Sequence, residues 1–484
     1  MGSLVRRSFH GILWSAIERF SLQGVRFAIG VVLARVLTAS DFGTIGMLSI
    51  FLGVSQVFID CGFSSALIRQ VEVTKEDYGT AFTVNLAISV AAYAVLFAAA
   101  PRVEAFYGME GLGSVMRAVS ATLVVNALFT VQKVKLTRAV DFKTQSKVSL
   151  GAAVASGVLG IGLAYGGCGV WSLVWQSIAN SVLNFVLLTA LTRWMPVPAF
   201  DRESFRRLFG FGSRLLVASL VHAVYTNLYN LFIGKKYTAG DLGQYAQADR
   251  LSRFPSQNVE GVLQRVTFPL LSQLQDEPER LRAIYIKYLG IACFAVFPMM
   301  MGLAAVARPL VVLMLGEKWL PCVPMLQVLC LGMMLDPVCT INLNLLYVKG
   351  RSDLVLKLEI VKKSIALAVL FATLPFGVQW MCVGQTGYAV VATLLNMTYT
   401  RRFIDLSVAG QLKLMAGPLA MSSAMASACL AIGALGWGDA VTLAVGVSAG
   451  AAVYWGLSLG FQVGAFRELL SILSTLRRGE RVRA

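Results

Sequence analysis

Charge is scarce in this 484-residue chain: Asp, Glu, Lys and Arg together make up 14% of it, where a soluble domain carries about 25%. That shortage excludes an ordinary water-soluble fold. Histidine is nearly missing, with 2 residues, which rules out a His-based metal site. The cysteines stand at 61, 168, 293, 322, 330, 339, 382 and 429, with no Cys-x-x-Cys pair, and most fall in apolar runs. They read as small buried thiols. No Gly-rich phosphate loop, metal-ligand cluster or sizeable polar domain interrupts the sequence, so nothing in it points to catalysis.

What is present is apolar. Hydrophobic residues make up 57% of the chain and its mean hydropathy is +0.70. A bilayer-spanning helix needs about 20 mostly apolar residues. Such runs predict fourteen spans, at 11–34, 43–67, 79–100, 112–132, 148–166, 169–192, 208–233, 243–271, 284–307, 322–347, 358–375, 377–400, 412–435 and 440–463. The first run carries Glu18, Arg19 and Arg26, unlike the uncharged core of a cleaved leader, and reads as a span.

The net charge of +17 would suggest nucleic acid in a soluble protein. In a membrane protein it marks cytoplasmic loops. With the N-terminus inside, only Arg35, Arg102, Lys235, Lys236, Arg308 and Lys318 fall in outer loops, whereas 133–147 alone carries Lys133, Lys135, Arg138, Lys143 and Lys147. This bias places both termini in the cytoplasm. The chain divides into 1–192 (six spans), a polar linker at 193–207, 208–402 (six spans), 403–464 (two spans) and a basic tail at 465–484 suited to anionic lipid.

A short phrase occurs twice. "VLTASDFGTIG" at 36–46 returns as "YTAGDLGQYAQ" at 237–247, with Thr38, Ala39, Asp41 and Gly43 matching Thr238, Ala239, Asp241 and Gly243. The offset of 200 also aligns Asp60 with Glu260. Six spans separate the copies, so equivalent helices point the same way, as in a parallel repeat. Each Thr-x-x-Asp fits a capping box at a helix start. Gly43 and Gly243 leave room for close packing in the first turn.

Ionisable groups inside spans are costly and generally face protein or an aqueous cavity. In span 8, Arg250, Arg253, Gln257, Glu260 and Gln264 fall within an arc of about 80° at helical spacing. Arg265 adds a further cation there. Span 1 offers Arg19, Gln23 and Arg26 beside Glu18. Span 2 offers Gln56 and Asp60, and span 7 offers Arg214, His222, Asn227 and Asn230. Gln176, Asn180 and Asn184 form a polar row on span 6, and Glu359 is four residues from Lys363. Two readings stay open. These groups are internal pairs and polar glue between helices, or the arginines exceed their counter-charges Glu18, Asp60, Glu260 and Glu359 and line a cationic cavity for an anion such as phosphate. His222 is a candidate proton relay.

The stretch "VLARVLTASDFGTIGMLSIFLGVSQVFIDCGFSSALIRQ" resembles the N-terminal signature of the Wzx-type, WzxC-like polysaccharide exporters of the MOP superfamily, which also holds MATE antiporters and the lipid II flippase. "YTAGDLGQYAQADRLSRFP", "LGEKWLPCVPMLQVL" and "LYVKGRSDLVLKLEIVKK" are similar to that family's second half. The resemblance implies an all-α membrane protein of two six-helix lobes in a V plus two C-terminal helices. It implies a non-enzymatic flippase for undecaprenyl-pyrophosphate-linked repeat units, working by alternating access in the bacterial inner membrane, for exopolysaccharide, capsule or lipopolysaccharide. The headgroup would meet Arg19, Arg26, Arg250, Arg253 and Arg265. Glu18, Asp60, His222, Gln257 and Glu260 are candidates for the polar lining or for coupling to a proton or sodium gradient; no cofactor or metal is expected. A polysaccharide polymerase or co-polymerase is the expected protein partner. The alternatives are a MATE-like cation antiporter, a membrane glycan polymerase or ligase, for which the outer loops are short, and a non-transporting scaffold.

Overall fold

Thr38 begins the first complete helix of the structure. In a computed structural model, which describes residues 21–460 apart from the side chains of Val262, Leu263, Arg265 and Val266, its hydroxyl accepts from the Asp41 amide while the Asp41 carboxylate accepts from the Thr38 amide at 2.9 Å. Thr238 and Asp241 repeat this arrangement, with the reciprocal bonds both at 3.1 Å. Both capping boxes read from the sequence are therefore formed. Glu18, Arg19, the Arg265 side chain and the basic tail at 465–484 lie outside the described residues.

Among the described residues the secondary structure is helical, with no strand. Helix α1 covers residues 21–36 of the described chain. It is followed by α2 (Ala39–Asp60), α3 (Phe63–Arg69), α4 (Lys75–Tyr107), α5 (Leu112–Arg138), α6 (Phe142–Tyr165), α7 (Val170–Thr192), α8 (Arg202–Lys236) and α9 (Ala239–Gln273). Then come α10 (Pro278–Ala305), α11 (Ala307–Leu315), α12 (Cys322–Met333), α13 (Asp336–Val348), α14 (Ser352–Thr373), α15 (Val378–Ile404), α16 (Val408–Gly433) and α17 (Asp439–Gly460). Among the described residues, ten segments are long and apolar enough to cross a membrane: the chain is a multi-pass membrane protein. Helices α9, α14 and α15 are long but too polar to join those ten.

The chain forms two compact units, 1–243 and 244–484. In the first, α8 packs on α2, α3 and α4. Glycines let α2 approach both α8 and the start of α9. A Cβ on Gly46 would lie 3.2 Å from Leu242, and one on Gly53 would lie 3.3 Å from the Asn227 amide. At one end a Cβ on Gly43 would fall on the Ala239 carbonyl, and one on Gly243 on the Ala39 carbonyl. The duplicated glycines thus sit on each other's helix starts, a reciprocal contact of the kind a two-fold axis produces. At the other end, Gly62 would meet the Gly212 carbonyl at 2.6 Å, and Gly212 would meet the Cys61 carbonyl. Cys61 (φ 46°) and Gly62 (φ 70°) are both left-handed and separate α2 from α3.

The segment 193–201 does not hang free. The Ala199 and Asp201 amides donate to Thr83 and Thr80 of α4 at 3.1 and 2.9 Å. Trp194 meets Tyr78 edge-on at 5.5 Å, and the Lys135 ammonium sits 3.7 Å over the Trp194 ring. Buried Asp77 pairs with Arg207 at 2.6 Å. Hydrogen bonds from the Ser204 amide and hydroxyl hold the Asp201 carboxyl below its ordinary value, as suits a helix N-cap.

In the second unit, α10, α13, α15 and α16 close around a fully buried polar knot. The Tyr285 hydroxyl lies 3.0 Å from Asn342 Oδ1 and 2.9 Å from Gln411 Oε1, and Thr400 donates to Asn342 Oδ1 at 2.6 Å. Leu281, Leu289, Phe297, Ile341, Leu345 and Met397 surround it. An apolar cavity of about 380 Å³ lies between α10, α16 and α17, lined by residues that include Pro298, Met425 and Tyr454.

The run at 322–347 is predicted as one continuous span. The structure breaks it between α12 and α13 at Met334 and Leu335. Pro337 is the reason: it has no N–H to give the Met333 carbonyl four residues back. The Ser256 hydroxyl of α9, fully buried, donates to that carbonyl at 2.9 Å. Ser256→Ala is expected to lower thermal stability by about 1–3 kcal/mol, the cost of a buried acceptor left unmet. Ser256→Thr is expected to recover most of it. A melting curve of the detergent-solubilised protein unchanged by Ser256→Ala would refute this role.

Candidate functional site

Helix α9 carries the polar stripe anticipated from its spacing. Ala248, Leu251, Ser252 and Ser256 are among its buried residues, while Arg250, Gln257 and Gln264 are exposed and Asp249, Arg253 and Glu260 half-buried. Helical geometry puts one set toward the core and the other on the opposite arc.

The stripe is more closely paired than the sequence reading allowed. Arg253 Nε lies 2.8 and 2.7 Å from the two Asp249 carboxylate oxygens, one turn away. Asp249 was not among the counter-charges of the sequence reading, so the positive surplus inside the spans is smaller than expected. Glu260 accepts from Thr340 of α13 at 2.5 Å. Asp336 begins α13, a position that favours negative charge. It is half-buried and makes no hydrogen bond among the described residues, although Arg253, Glu260 and Asp249 all act on it electrostatically.

These contacts form one arrangement. The Pro337 break starts a half-helix inside a membrane span, and its first residue is a carboxylate. Helix α9 supplies Ser256 to the free carbonyl, Arg253 and Asp249 to one side and Glu260 to the next turn. Irregular backbone at membrane depth is tolerated where it is buried in protein or lines a cavity, and ion sites are commonly built on such discontinuous helices. On the other flank of α13, the Cys339 thiol lies 3.1 Å from Thr393. Lys362, 6% exposed, pairs with Glu359 at 2.5 Å. The sequence reading paired Glu359 with Lys363; Glu359 acts on Lys363 electrostatically and also forms an ion pair with Lys362.

In the first unit the polar groups are spread along α1, α2 and α8. Arg26, Arg214 and His222 are exposed. Asn230 donates to Ser49 at 3.1 Å. Asp60 accepts from Ser64 in the next helix, so although it aligns with Glu260 in the repeat, its partner is local. The Asn184 amide turns back to the Asn180 carbonyl at 2.7 Å and bonds its own helix rather than bridging to a neighbour.

The profile of the polysaccharide biosynthesis protein family matches residues 32–324, more than half of the chain. The chain belongs to that family. Among its relatives, the teichuronic acid biosynthesis protein TuaB of Bacillus subtilis (strain 168) is 24% identical over 73% of this chain and 74% of its own length. The lipopolysaccharide biosynthesis protein WzxC of Escherichia coli (strain K12) is 24% identical over 74% of each chain. The succinoglycan biosynthesis transport protein ExoT of Rhizobium meliloti (strain 1021) is 22% identical over 76% of each. The family member described here shares its fold with the lipid II flippase MurJ in an inward closed conformation, with a TM-score of 0.75 at 13% identity over 95% of this chain and 100% of that one. An inward-facing multidrug resistance MATE family transporter of the MOP superfamily superposes with a TM-score of 0.63 at 15% identity, over 81% and 98%.

Two functional candidates escaped the sequence reading. Asp249 had a visible signal in its four-residue spacing to Arg253. Asp336 had one in the Asp-Pro pair inside an apolar run, since proline favours the first turn of a helix.

Proposed function

We propose that this protein is a transporter and not an enzyme, and that it moves undecaprenyl-pyrophosphate-linked oligosaccharide repeat units across the bacterial inner membrane by alternating access. Both termini lie in the cytoplasm. Membership of the polysaccharide biosynthesis family carries this reading, and relatives named for lipopolysaccharide biosynthesis and succinoglycan transport support it. Pyrophosphate recognition calls for guanidinium groups. Arg26 and Arg250 are exposed and are the candidates for that contact.

The transport cycle draws on a gradient of protons or sodium ions acting through Asp336 and Glu260. Three features support that role: the half-helix start at Asp336, its lack of a hydrogen bond among the described residues, and the neighbouring charges of Arg253, Asp249 and Glu260.

Arg26→Gln and Arg250→Gln are each expected to cut export at least roughly tenfold, the scale of one lost charge-assisted hydrogen bond. The amount of folded protein should stay unchanged. The check is accumulation of the lipid-linked oligosaccharide on the cytoplasmic side of cells carrying each variant. Normal export by both would remove the headgroup assignment. A change in drug accumulation instead would favour a MATE-like antiporter.

A further inference from the structure

We propose that the second unit holds an internal aqueous branch, which runs from its cytoplasmic end to Asp336 between α13, α14 and α15. Glu359 stands at its mouth. Lys362, Asn396, Thr393 and Cys339 line it, and Asp336 closes it. The branch admits water and gives the coupling ion a way between Asp336 and the cytoplasm. That purpose rests on the reading of Asp336 given above; the branch itself is tested without it.

Three helices bring these groups to matching depths. Val348 ends α13, Ser352 begins α14 and Ile404 ends α15. Lys349, Arg351, Arg401 and Arg402 mark this end as the cytoplasmic one. Counted along the helices from it, Glu359 lies about 10 Å in, Asn396 about 12 Å, Cys339 about 14 Å, Lys362 about 15 Å, Thr393 about 16 Å and Asp336 about 18 Å, at about 1.5 Å per residue. The contacts follow the same order. Glu359 pairs with Lys362. Asn396, Lys362 and Asp336 all act on the Cys339 thiol, which meets Thr393 at 3.1 Å. On its far side Asp336 faces the charges of Asp249, Arg253 and Glu260, so the branch ends against α9.

The groups are left short of partners in a way that calls for water. Asn396 is fully buried, and neither its amide nitrogen nor its amide oxygen has a hydrogen-bond partner among the described residues. A dry amide in that state is costly, and buried waters serve such groups. Lys362 is 6% exposed. Its ammonium carries three donors, more than its contact with one Glu359 oxygen uses. Asp336 and Cys339 are only half-buried despite their depth. The knot around Tyr285 shows the opposite case on the same helices: there Asn342, Thr400 and Gln411 satisfy the hydroxyl and one another. Polar burial in this unit is therefore dry where partners are complete, and the branch is where they are not.

Silver ions test this, because they follow water through narrow passages and are held by thiols. They are added to vesicles holding the full chain; each cysteine is then alkylated in denaturant and quantified by mass spectrometry, so that a silver-bound thiol stays unlabelled. In inverted vesicles, which present the cytoplasmic face, silver is expected to protect native Cys339 at least roughly ten times faster than Cys293, which is 1% exposed in the same unit. In right-side-out vesicles the protection of Cys339 is expected to be about tenfold slower. Cys339 protected no faster than Cys293, or equally fast from both faces, overturns the branch. Asn396→Leu replaces the unpartnered amide with an apolar side chain and is expected to slow protection of Cys339 about fivefold while leaving Cys293 unchanged. If that variant does not reach the membrane folded, Thr393→Val is read instead, with about a threefold slowing expected. An unchanged rate in the variant that is read also overturns the proposal. Neither substrate nor gradient enters the measurement, so a missing branch leaves the proposed cargo standing, and a wrong cargo leaves the silver result standing.

Discussion

Asp249→Ala is expected to lower the stability of the protein by about 2–4 kcal/mol. Removing one partner of a buried ion pair leaves the other charge in a low dielectric, at a cost of about 3–5 kcal/mol. Arg253 keeps 37% of its side chain exposed, which moves the expectation to the lower part of that range. Arg253→Met alone leaves the Asp249 carboxylate without its cation and is expected to destabilise as well. The double variant Asp249→Ala/Arg253→Met is expected to recover most of the loss, because both charges go together. Melting temperatures of the detergent-solubilised single and double variants check this. Equal destabilisation by single and double variants would mean that the pair does not hold Arg253.

Asp336→Asn should behave in the opposite way, with stability kept and transport lost. Asparagine fills nearly the same volume and is itself favoured at helix starts. It removes only the charge and the capacity to bind and release a proton or hold a cation. Export is expected to fall at least roughly tenfold, with the residual activity no longer responding to an imposed pH or sodium gradient. Asp336→Glu is expected to restore part of the response. The measurement is uptake of lipid-linked oligosaccharide into inverted vesicles under each gradient. Wild-type gradient dependence in Asp336→Asn would exclude this carboxylate from coupling.

These predictions rest partly on what the sequence made legible. Apolar runs bounded by charge marked the ten segments that are long and apolar enough to cross a membrane among the described residues, out of fourteen expected, because burial in lipid demands long apolar stretches. The Thr-x-x-Asp boxes were legible because capping is local: four consecutive residues hold the whole mechanism, and both boxes formed. The stripe on α9 was legible because helical periodicity is regular.

Long-range pairing was not legible. Nothing in the run at 322–347 reveals that Ser256, 77 residues from Met333, supplies the donor that Pro337 lacks. Glu260 had no visible partner until packing brought Thr340 to it, 80 residues away. That Glu359 pairs with Lys362 as well as acting on Lys363 depends on which flank of α14 is buried, a property of its neighbours and not of its own spacing. At Asp60 the surroundings of the two copies differ. Register aligned it with Glu260, but Cys61 and Gly62 turn the chain there, while α9 runs on to Gln273.

The crossed glycines have a consequence for substitutions in either copy of the phrase. Gly43 rests on the helix start that belongs to the second copy of the phrase, and Gly243 rests on the start that belongs to the first. A side chain gained in either copy is felt at the cap of the other. Each copy of the phrase is part of the other's environment, so the two helix starts constrain each other in a way that neither stretch of sequence shows by itself.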